Sequence, residues 1–345
     1  MAEGNRVVTV GVDTHKDAHV AAALDASGAL LGTASFPADA RGYASMVAWM
    51  RAFGRVEAAG GYGAGLARAL DAAGVRVLEV SAPDRSERRR RGKSDGIDAE
   101  QAARAALAGT RCAPAKSRCA EMGALGALEA AYAGAVKART AALNALQAQV
   151  VALPEEARAP LRGKGSSELV RACASMRPGA GSSPETLAKV ALRSLARRAR
   201  MLDEEAKGLE AEIDALTKAL APSTRSLLGA GPHVAARLLL AAGANVSRLR
   251  SEASFSMLCG ASPVPVSSGR ADRHRLSRAG DRRANSALYT MAITRMAHDE
   301  RTRSYVARRM SEGKTKKDAI RCLKRYIARE AYRALAQDME ALGMS

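Results

Sequence analysis

The sequence predicts a mixed α/β layer domain first, then a long helical middle, then a basic and mostly helical final third. Three observations carry this. Val7–Val12 and the runs after it have the β-branched, alternating character of strands before 3.6-residue periods take over. Glu121–Leu153 and Leu187–Leu220 hold apolar residues at three- and four-residue steps well beyond an average helix length. Lys and Arg number 54 against 35 Asp and Glu in 345 residues, a formal net charge of +19.

Val7–Val12 and Val20–Leu24 read as a hairpin, Ala26-Ser27-Gly28 as a turn and Leu30–Phe36 as a third strand. Gly42–Ala52 has helical spacing, with Tyr43, Met46, Val47 and Met50 on one side. Val56-Glu57 is a short apolar-acidic step before Gly60-Gly61-Tyr62-Gly63. Leu66–Ala73 is a helix stopped by Gly74, and Val75–Val80 is another strand. The order β-β-β-α-β-α-β implies a mixed α/β layer. A basic run of Arg88, Arg89, Arg90, Arg91 and Lys93 precedes Ser94-Asp95-Gly96-Ile97-Asp98 and a helix from Ala99 to Ala108. Gly109 and Pro114 end the first domain near residue 115.

The two long periodic stretches suggest a coiled-coil arm, although their stripe is not a strict heptad and also suits packing onto the body. Between them Pro154–Pro184, rich in Pro, Gly and Ser, reads as a loop-rich insertion. A Gly-x-Gly turn leads into a helix at His233–Leu240 and resembles a helix-hairpin-helix, which offers backbone N–H groups to phosphate. Phe255–Cys259 is a short helix, Ala261–Leu276 is loop-like, and Ala284–Met296 and Ala319–Leu335 are helices. The expected domains are therefore 1–115, 116–222 and 223–345.

A charge of +19 opposes compaction unless an anionic partner offsets it, which points to nucleic acid first and an anionic membrane surface second. Aromatic residues are 3% of the chain, so phosphate contacts by arginine are expected to outweigh base stacking, with a steep salt dependence. The five cysteines fit neither zinc spacing nor a disulfide framework, and read as free thiols of a reducing cytoplasm. No apolar run is long enough to span a bilayer, and a soluble, cytoplasmic protein is expected.

Two constellations carry chemistry. Asp13 and Glu57 each follow a strand-like run, and Asp95 and Asp98 stand three apart at a helix start, with side chains about 5–6 Å apart on one face. Four such carboxylates suit two hard divalent cations, Mg²⁺ above all, roughly 3.5–4 Å apart for phosphoryl transfer. The plainer alternative is that Asp13 caps a turn, Glu57 is a surface residue, and Asp95 and Asp98 only favour the helix dipole. The second is Ser267-Ser268-Gly269 among Arg270, Arg273, His274, Arg275, Arg278, Arg282 and Arg283. A serine there can attack a phosphodiester beside charge-stabilising arginines, or the segment is a polar DNA-binding turn. Near the C-terminus Lys314, Lys316, Lys317, Arg321, Lys324 and Arg325 form either a solvated helix face or a nucleic-acid contact.

With GVDTHKD around Asp13, VEAAGGYGAGLARAL around Glu57, KSDGIDAEQAARA around Asp95 and Asp98, and FSMLCGASPVPVSSGRADRHRLSRAGDRRANSALY after them, the chain resembles the DEDD-type insertion-sequence transposases. This is insertion-sequence family one-hundred-and-ten, which also holds the pilin-gene invertases. The resemblance runs over roughly residues 5–335. It implies a RuvC-like (RNase H-like) N-terminal domain, central coiled-coil helices and a C-terminal transposase domain. It further implies Mg²⁺, two ions per site, on Asp13, Glu57, Asp95 and Asp98. Ser268, directly before the glycine, would be the nucleophile that forms a phosphoserine link to DNA. Donor and target duplexes would be the substrates and a structured bridge RNA the guide. A dimer or tetramer would form composite sites. Arg88, Arg89, Arg90, Arg91, Lys93, Arg270, Arg273, Arg275, Arg282 and Arg283 would contact nucleic acid. Two positions depart from the pattern: Ala59 stands where a hydroxyl residue often precedes the first glycine, and GAGPHV is looser than usual. The competing expectations are a junction-resolving nuclease that uses only the carboxylates, a protein-directed invertase, and a non-catalytic transposon remnant. The presence of all four carboxylates and Ser268 speaks against the last.

Overall fold

A computed structural model describes residues 7–61, 63–80, 94–109, 112–116, 119–265, 274–276 and 280–343. The chain divides into two compact units, Met1–Lys116 and Ser117–Ser345.

The first unit is a six-stranded mixed sheet in the order β3-β2-β1-β4-β5-β6. Its strands are β1 (Val8–Thr14), β2 (Ala18–Leu24), β3 (Leu30–Pro37), β4 (Val56–Gly60), β5 (Arg76–Val80) and β6 (Cys112–Pro114). β1, β2 and β3 form an antiparallel meander, while β4 runs parallel to β1 and β5 parallel to β4. Helices α1 (Ala40–Arg51) and α2 (Ala64–Ala72) cover one face, and α3 (Asp95–Leu107) packs on β1 and β2. Strand alternation decides which side chains go where. Val8, Val10 and Val12 enter one core with Met46, Met50, Leu66 and Leu70. Thr9, Gly11 and Asp13 therefore point to the other face, where α3 lies. The expected element order holds. The short edge strand β6 was not expected: three residues flanked by Gly109 and Ala115 give no periodicity to read.

The second unit is helical. α4 (Ala120–Val151) and α7 (Pro184–Leu220) pair as an antiparallel hairpin. Leu125 and Ile213 share a cluster at one end, Arg139 meets Asp203 midway, and Leu146 and Ala196 share another cluster at the far end. The residues between the long helices are less loop-like than expected. Helices α5 (Glu155–Arg158) and α6 (Ser166–Ala174) lie there, and Leu169 and Cys173, one turn apart, close the far end of the hairpin. The near end merges with the main core. That core is built from α8 (Pro222–Ser226), α9 (Pro232–Ala242), α10 (Glu252–Leu258), α11 (Arg282–His298), α12 (Glu300–Ser311) and α13 (Lys316–Ala341). α12 was not anticipated, because its sequence ERTRSYVARRMS buries only Thr302 and Val306 and shows almost no apolar stripe. β7 (Pro263–Pro265) and β8 (His274–Leu276) pair antiparallel inside the segment expected to be loop. Among the described residues no helix is long and apolar enough to cross a membrane.

Candidate active site

Asp13 is the sixth of the seven residues of β1, on the face that α3 covers. α3 can approach because residue 11 is glycine: a Cβ there would lie 1.8 Å from the Ala99 carbonyl oxygen and 2.5 Å from the Ala103 nitrogen. The helix starts at Ser94, whose side-chain oxygen accepts from the Ile97 N–H, and Asp95 and Asp98 sit in its first turn, where the helix dipole favours carboxylates. Close packing at Gly11 thus carries the helix start to the end of β1. Thr14 fixes that strand end by donating to the Gly61 carbonyl oxygen at 2.6 Å.

Asp13 and Asp95 meet there through His15. The His15 Nε2 is 3.0 Å from Asp13 Oδ2 and 3.3 Å from Asp95 Oδ1. One ligand atom from each of the three residues lies within 4.8 Å of the others. The Asp13 side chain is 26% exposed and Asp95 51%, so water and a phosphate oxygen have access. Two carboxylates with an imidazole nitrogen between them fit one divalent cation, with solvent or substrate oxygens completing its shell. His15 was missed in the sequence, although its place two residues after a strand-end aspartate is a spacing that puts both on one side.

Asp98 and Glu57 lie outside this group of ligand atoms. Asp98 is half-buried, three residues further into α3. Glu57 stands further along the same face. β4 begins at Val56, so Glu57 stands at the strand's entry and pairs with Thr9, four residues before Asp13. Four residues of parallel strand are about 13 Å, beyond the joint reach of a glutamate and an aspartate on one ion. Glu57 Oε1 instead lies 2.9 Å from Nη1 of Arg76, its neighbour on β5. With this register, Glu57→Gln is expected to leave divalent-ion affinity within about twofold, since it removes no ligand. A tenfold loss by calorimetric titration would mean that β4 slides four residues to bring Glu57 beside Asp13.

Ser268, Arg88, Arg89, Arg90, Arg91, Lys93, Arg270 and Arg273 lie outside the described residues. The base of the Ser268 segment is described. Val264 pairs with Arg275 and Pro265 with His274. Below these strands the Asp281 N–H donates to the Leu258 carbonyl, and a Cβ on Gly280 would lie 2.4 Å from the Gly260 nitrogen. Asn285 Nδ2 donates to the Cys259 carbonyl at 2.7 Å and the Gly260 carbonyl at 3.1 Å, while its Oδ1 accepts from Lys324 Nζ at 2.7 Å. Lys324 is buried, and burial lowers its pKa. It is therefore part of this clasp and not of a solvated basic face, whereas Lys314, Lys316, Lys317 and Arg321 are exposed. Burial pushes the Cys259 thiol up to about 12, which leaves it unreactive. Arg282 and Arg283 are exposed on the first turn of α11, where cations oppose the helix dipole and an anion would relieve them.

The chain matches two family models in order. One, described as "Transposase" and of the DEDD type, covers residues 10–153, and the other, "Transposase IS116/IS110/IS902 family", covers residues 223–307. It is also 32% identical over 130 residues to the "Insertion element IS110 uncharacterized 43.6 kDa protein" of Streptomyces coelicolor. That match spans 37% of this chain and 32% of the relative. The first model contains the whole Asp13–Asp95 cluster, and the second contains the Ser268 segment and every part of its clasp but Lys324. On this evidence from both ends, the chain belongs to the IS110 family of insertion-sequence transposases.

Proposed function

We propose that the protein is a DNA recombinase that moves an insertion sequence, cutting and rejoining strands through a phosphoserine link under the direction of a structured RNA. The observation that carries this is the meeting of Asp13 and Asp95 at the end of β1, in a chain whose two family matches bracket an acidic site and a serine segment. Residues 1–115 act as the RuvC-like domain, 116–222 as a coiled-coil arm between protomers, and 223–345 as the serine-bearing domain. Asp13 and Asp95, with Asp98 behind them, hold Mg²⁺, which when bound supplies Lewis-acid stabilisation of phosphate charge. His15 withdraws from between the carboxylates or serves as a third ligand.

The Ser268 oxygen attacks phosphorus. The bond from phosphorus to the sugar oxygen breaks, that oxygen takes a proton, and the serine proton is released. A hydroxyl of the new strand then attacks the phosphoserine, and the serine oxygen leaves and is reprotonated. The phosphodiester bond energy is conserved, so no high-energy cofactor is needed. Arg270, Arg273, Arg275, Arg282 and Arg283 neutralise the phosphates, and Arg88, Arg89, Arg90, Arg91 and Lys93 hold the backbone beside the carboxylates. Donor and target duplexes occupy composite sites in a dimer or tetramer.

The test is strand exchange on labelled donor and target DNA with purified protein, Mg²⁺ and the RNA transcribed beside the gene. Exchange is expected to need all three, and a protein–DNA adduct resistant to denaturant is expected for wild type and absent for Ser268→Ala. Full exchange by Ser268→Ala would replace the covalent route with hydrolysis by a junction nuclease. Undiminished exchange after RNase treatment would leave a protein-directed invertase.

A further inference from the structure

The chain has few aromatic residues, yet two of its seven tyrosines meet at the rim of a cavity that the proposed chemistry does not use. The cavity, about 900 Å³, lies between α12, α13 and the turn after α8. Leu227, Leu323 and Ile327 supply its apolar part, and Arg295, Arg301 and Arg308 its charge. Tyr305 and Tyr326 stand nearly perpendicular, with ring centroids 5.6 Å apart and an interplanar angle of 79°. Each ring carries a guanidinium: Arg308 lies 5.7 Å from the Tyr305 centroid and Arg329 lies 5.6 Å from that of Tyr326. Arg301, Tyr305 and Arg308 follow one another at i, i+4 and i+7, so one face of α12 presents them together.

Tyr326 is 51% exposed at the cavity's edge. The local charges explain what the corner attracts. Glu330 is already paired with Arg295 at 2.6 Å, and the Asp299 carboxylate accepts from the Thr302 N–H and hydroxyl. Arg308 has a carboxylate, Glu312, no nearer than 3.9 Å, and Arg301 has no ion pair among the described residues. Two cations thus remain at the rim of the cleft, beside the exposed ring of Tyr326. A flat ring stacks on one tyrosine, abuts the other, and leaves a phosphate for Arg301 and Arg308.

We infer that the Tyr305–Tyr326 corner and its cavity seat unpaired bases of a single-stranded nucleic acid. None of the lining residues is one of the carboxylates or part of the serine segment, and the inference rests on the reading that the protein handles nucleic acid. A paired base inside a duplex cannot offer its face to a tyrosine, so the site selects single strands over duplex. The volume is within the range of pockets that hold ligands of nucleotide size.

The experiment measures affinity of the full chain for a 5′-labelled, non-self-complementary oligonucleotide of fixed sequence as single-stranded DNA, as single-stranded RNA and as duplex DNA, by fluorescence anisotropy. Tyr326→Ala is expected to weaken single-strand binding by about 5- to 100-fold, the range of one lost stacking contact, with duplex affinity changed less than about twofold. Tyr326→Phe keeps the ring and should bind within about twofold of wild type. Loss with either single strand supports the seat, and the strand that loses more identifies the source of the base. Because Tyr326 is exposed, its truncation should leave the thermal midpoint unchanged, which separates lost contact from lost fold. Equal losses for single strand and duplex, or no loss for either single strand, would overturn the seat. Wild-type binding to duplex alone would also overturn it while leaving strand exchange standing, whereas binding to none of the three would remove the recombinase reading as well.

Discussion

Asp95→Asn is expected to abolish divalent-ion binding at the end of β1 and to slow strand cleavage by on the order of 10³-fold, with the thermal midpoint almost unchanged. An amide keeps the size of the side chain and removes the charge that neutralises a cation. Loss of several kcal/mol of charge stabilisation in the transition state gives a factor of this size. Asp95 is exposed, so the same change should alter stability by no more than about 0.5 kcal/mol. Gly11→Ala should reach a similar functional loss by another route. Its Cβ would meet the α3 backbone at 1.8 Å, so α3 must move outward and carry Asp95 away from Asp13. Overpacking of this kind costs about 1–3 kcal/mol or more, so Gly11→Ala should lower the unfolding midpoint where Asp95→Asn does not. Metal titration and thermal unfolding of the two variants distinguish them. If Gly11→Ala bound the ion as wild type does, α3 would not be what places Asp95.

Only parts of the site could be read in advance. Asp13 could be placed at a strand end because a valine-rich run leads into it, whereas the helix expected from Ala99 begins four residues earlier, at Asp95, behind its Ser94 cap. Their meeting was not legible from spacing, since it depends on which face of β1 the helix covers. Gly11 decides that face, and a glycine in a strand says only that something comes close. How far Glu57 stands from Asp13 along the sheet was hidden for a related reason. Its apolar-acidic step looks like a strand end, yet β4 starts at Val56 and continues through Ala58, Ala59 and Gly60. Small residues with no alternation hide a strand's direction of extent, and register then moves the carboxylate about 13 Å.

In the helical unit the long periods of α4 and α7 were plain, because charged flanks and apolar stripes repeat over many turns. α12 was not, because a helix that packs one valine and one threonine leaves little signal. The basic residues near the C-terminus looked alike in sequence, and only packing separates Lys324, buried against Asn285, from its exposed neighbours. The clasp it forms gives a physical reason for a lysine, asparagine and paired glycines around the serine segment. Lysine supplies a donor long enough to reach Asn285, and the asparagine splits its amide between that lysine and two backbone carbonyls. Gly260 and Gly280 let the two chain ends touch.

Glu129→Ala is expected to destabilise the helical unit by about 3–5 kcal/mol, the usual cost of removing one partner from a buried charge network. Glu129 on α4 is 3% exposed and accepts from His233 Nδ1 and, at 3.2 Å, from Arg237 Nε, both on α9. Tyr132 stacks on His233 with centroids 3.9 Å apart, and Glu210 of α7 approaches its Nε2 at 3.6 Å. Three helices therefore converge on one carboxylate, and α9 in turn packs against α11, which carries the clasp of the serine segment. Burial alone would raise the pKa of Glu129, but the His233 hydrogen bond and the Arg237 charge outweigh it and hold it below the usual glutamate value of 4.5. The sign follows. The stabilisation from this carboxylate is full above pH 4.5 and is lost as pH falls through the lower folded pKa. Glu129→Gln keeps shape and one acceptor, so it should cost less than the alanine at pH 7, and its deficit against wild type should shrink as the pH drops below 4.5. Urea unfolding of wild type and both variants at pH 7 and in acid reads this directly. A deficit for Glu129→Gln that stayed constant across that range would mean the carboxylate acts through packing and not through its charge.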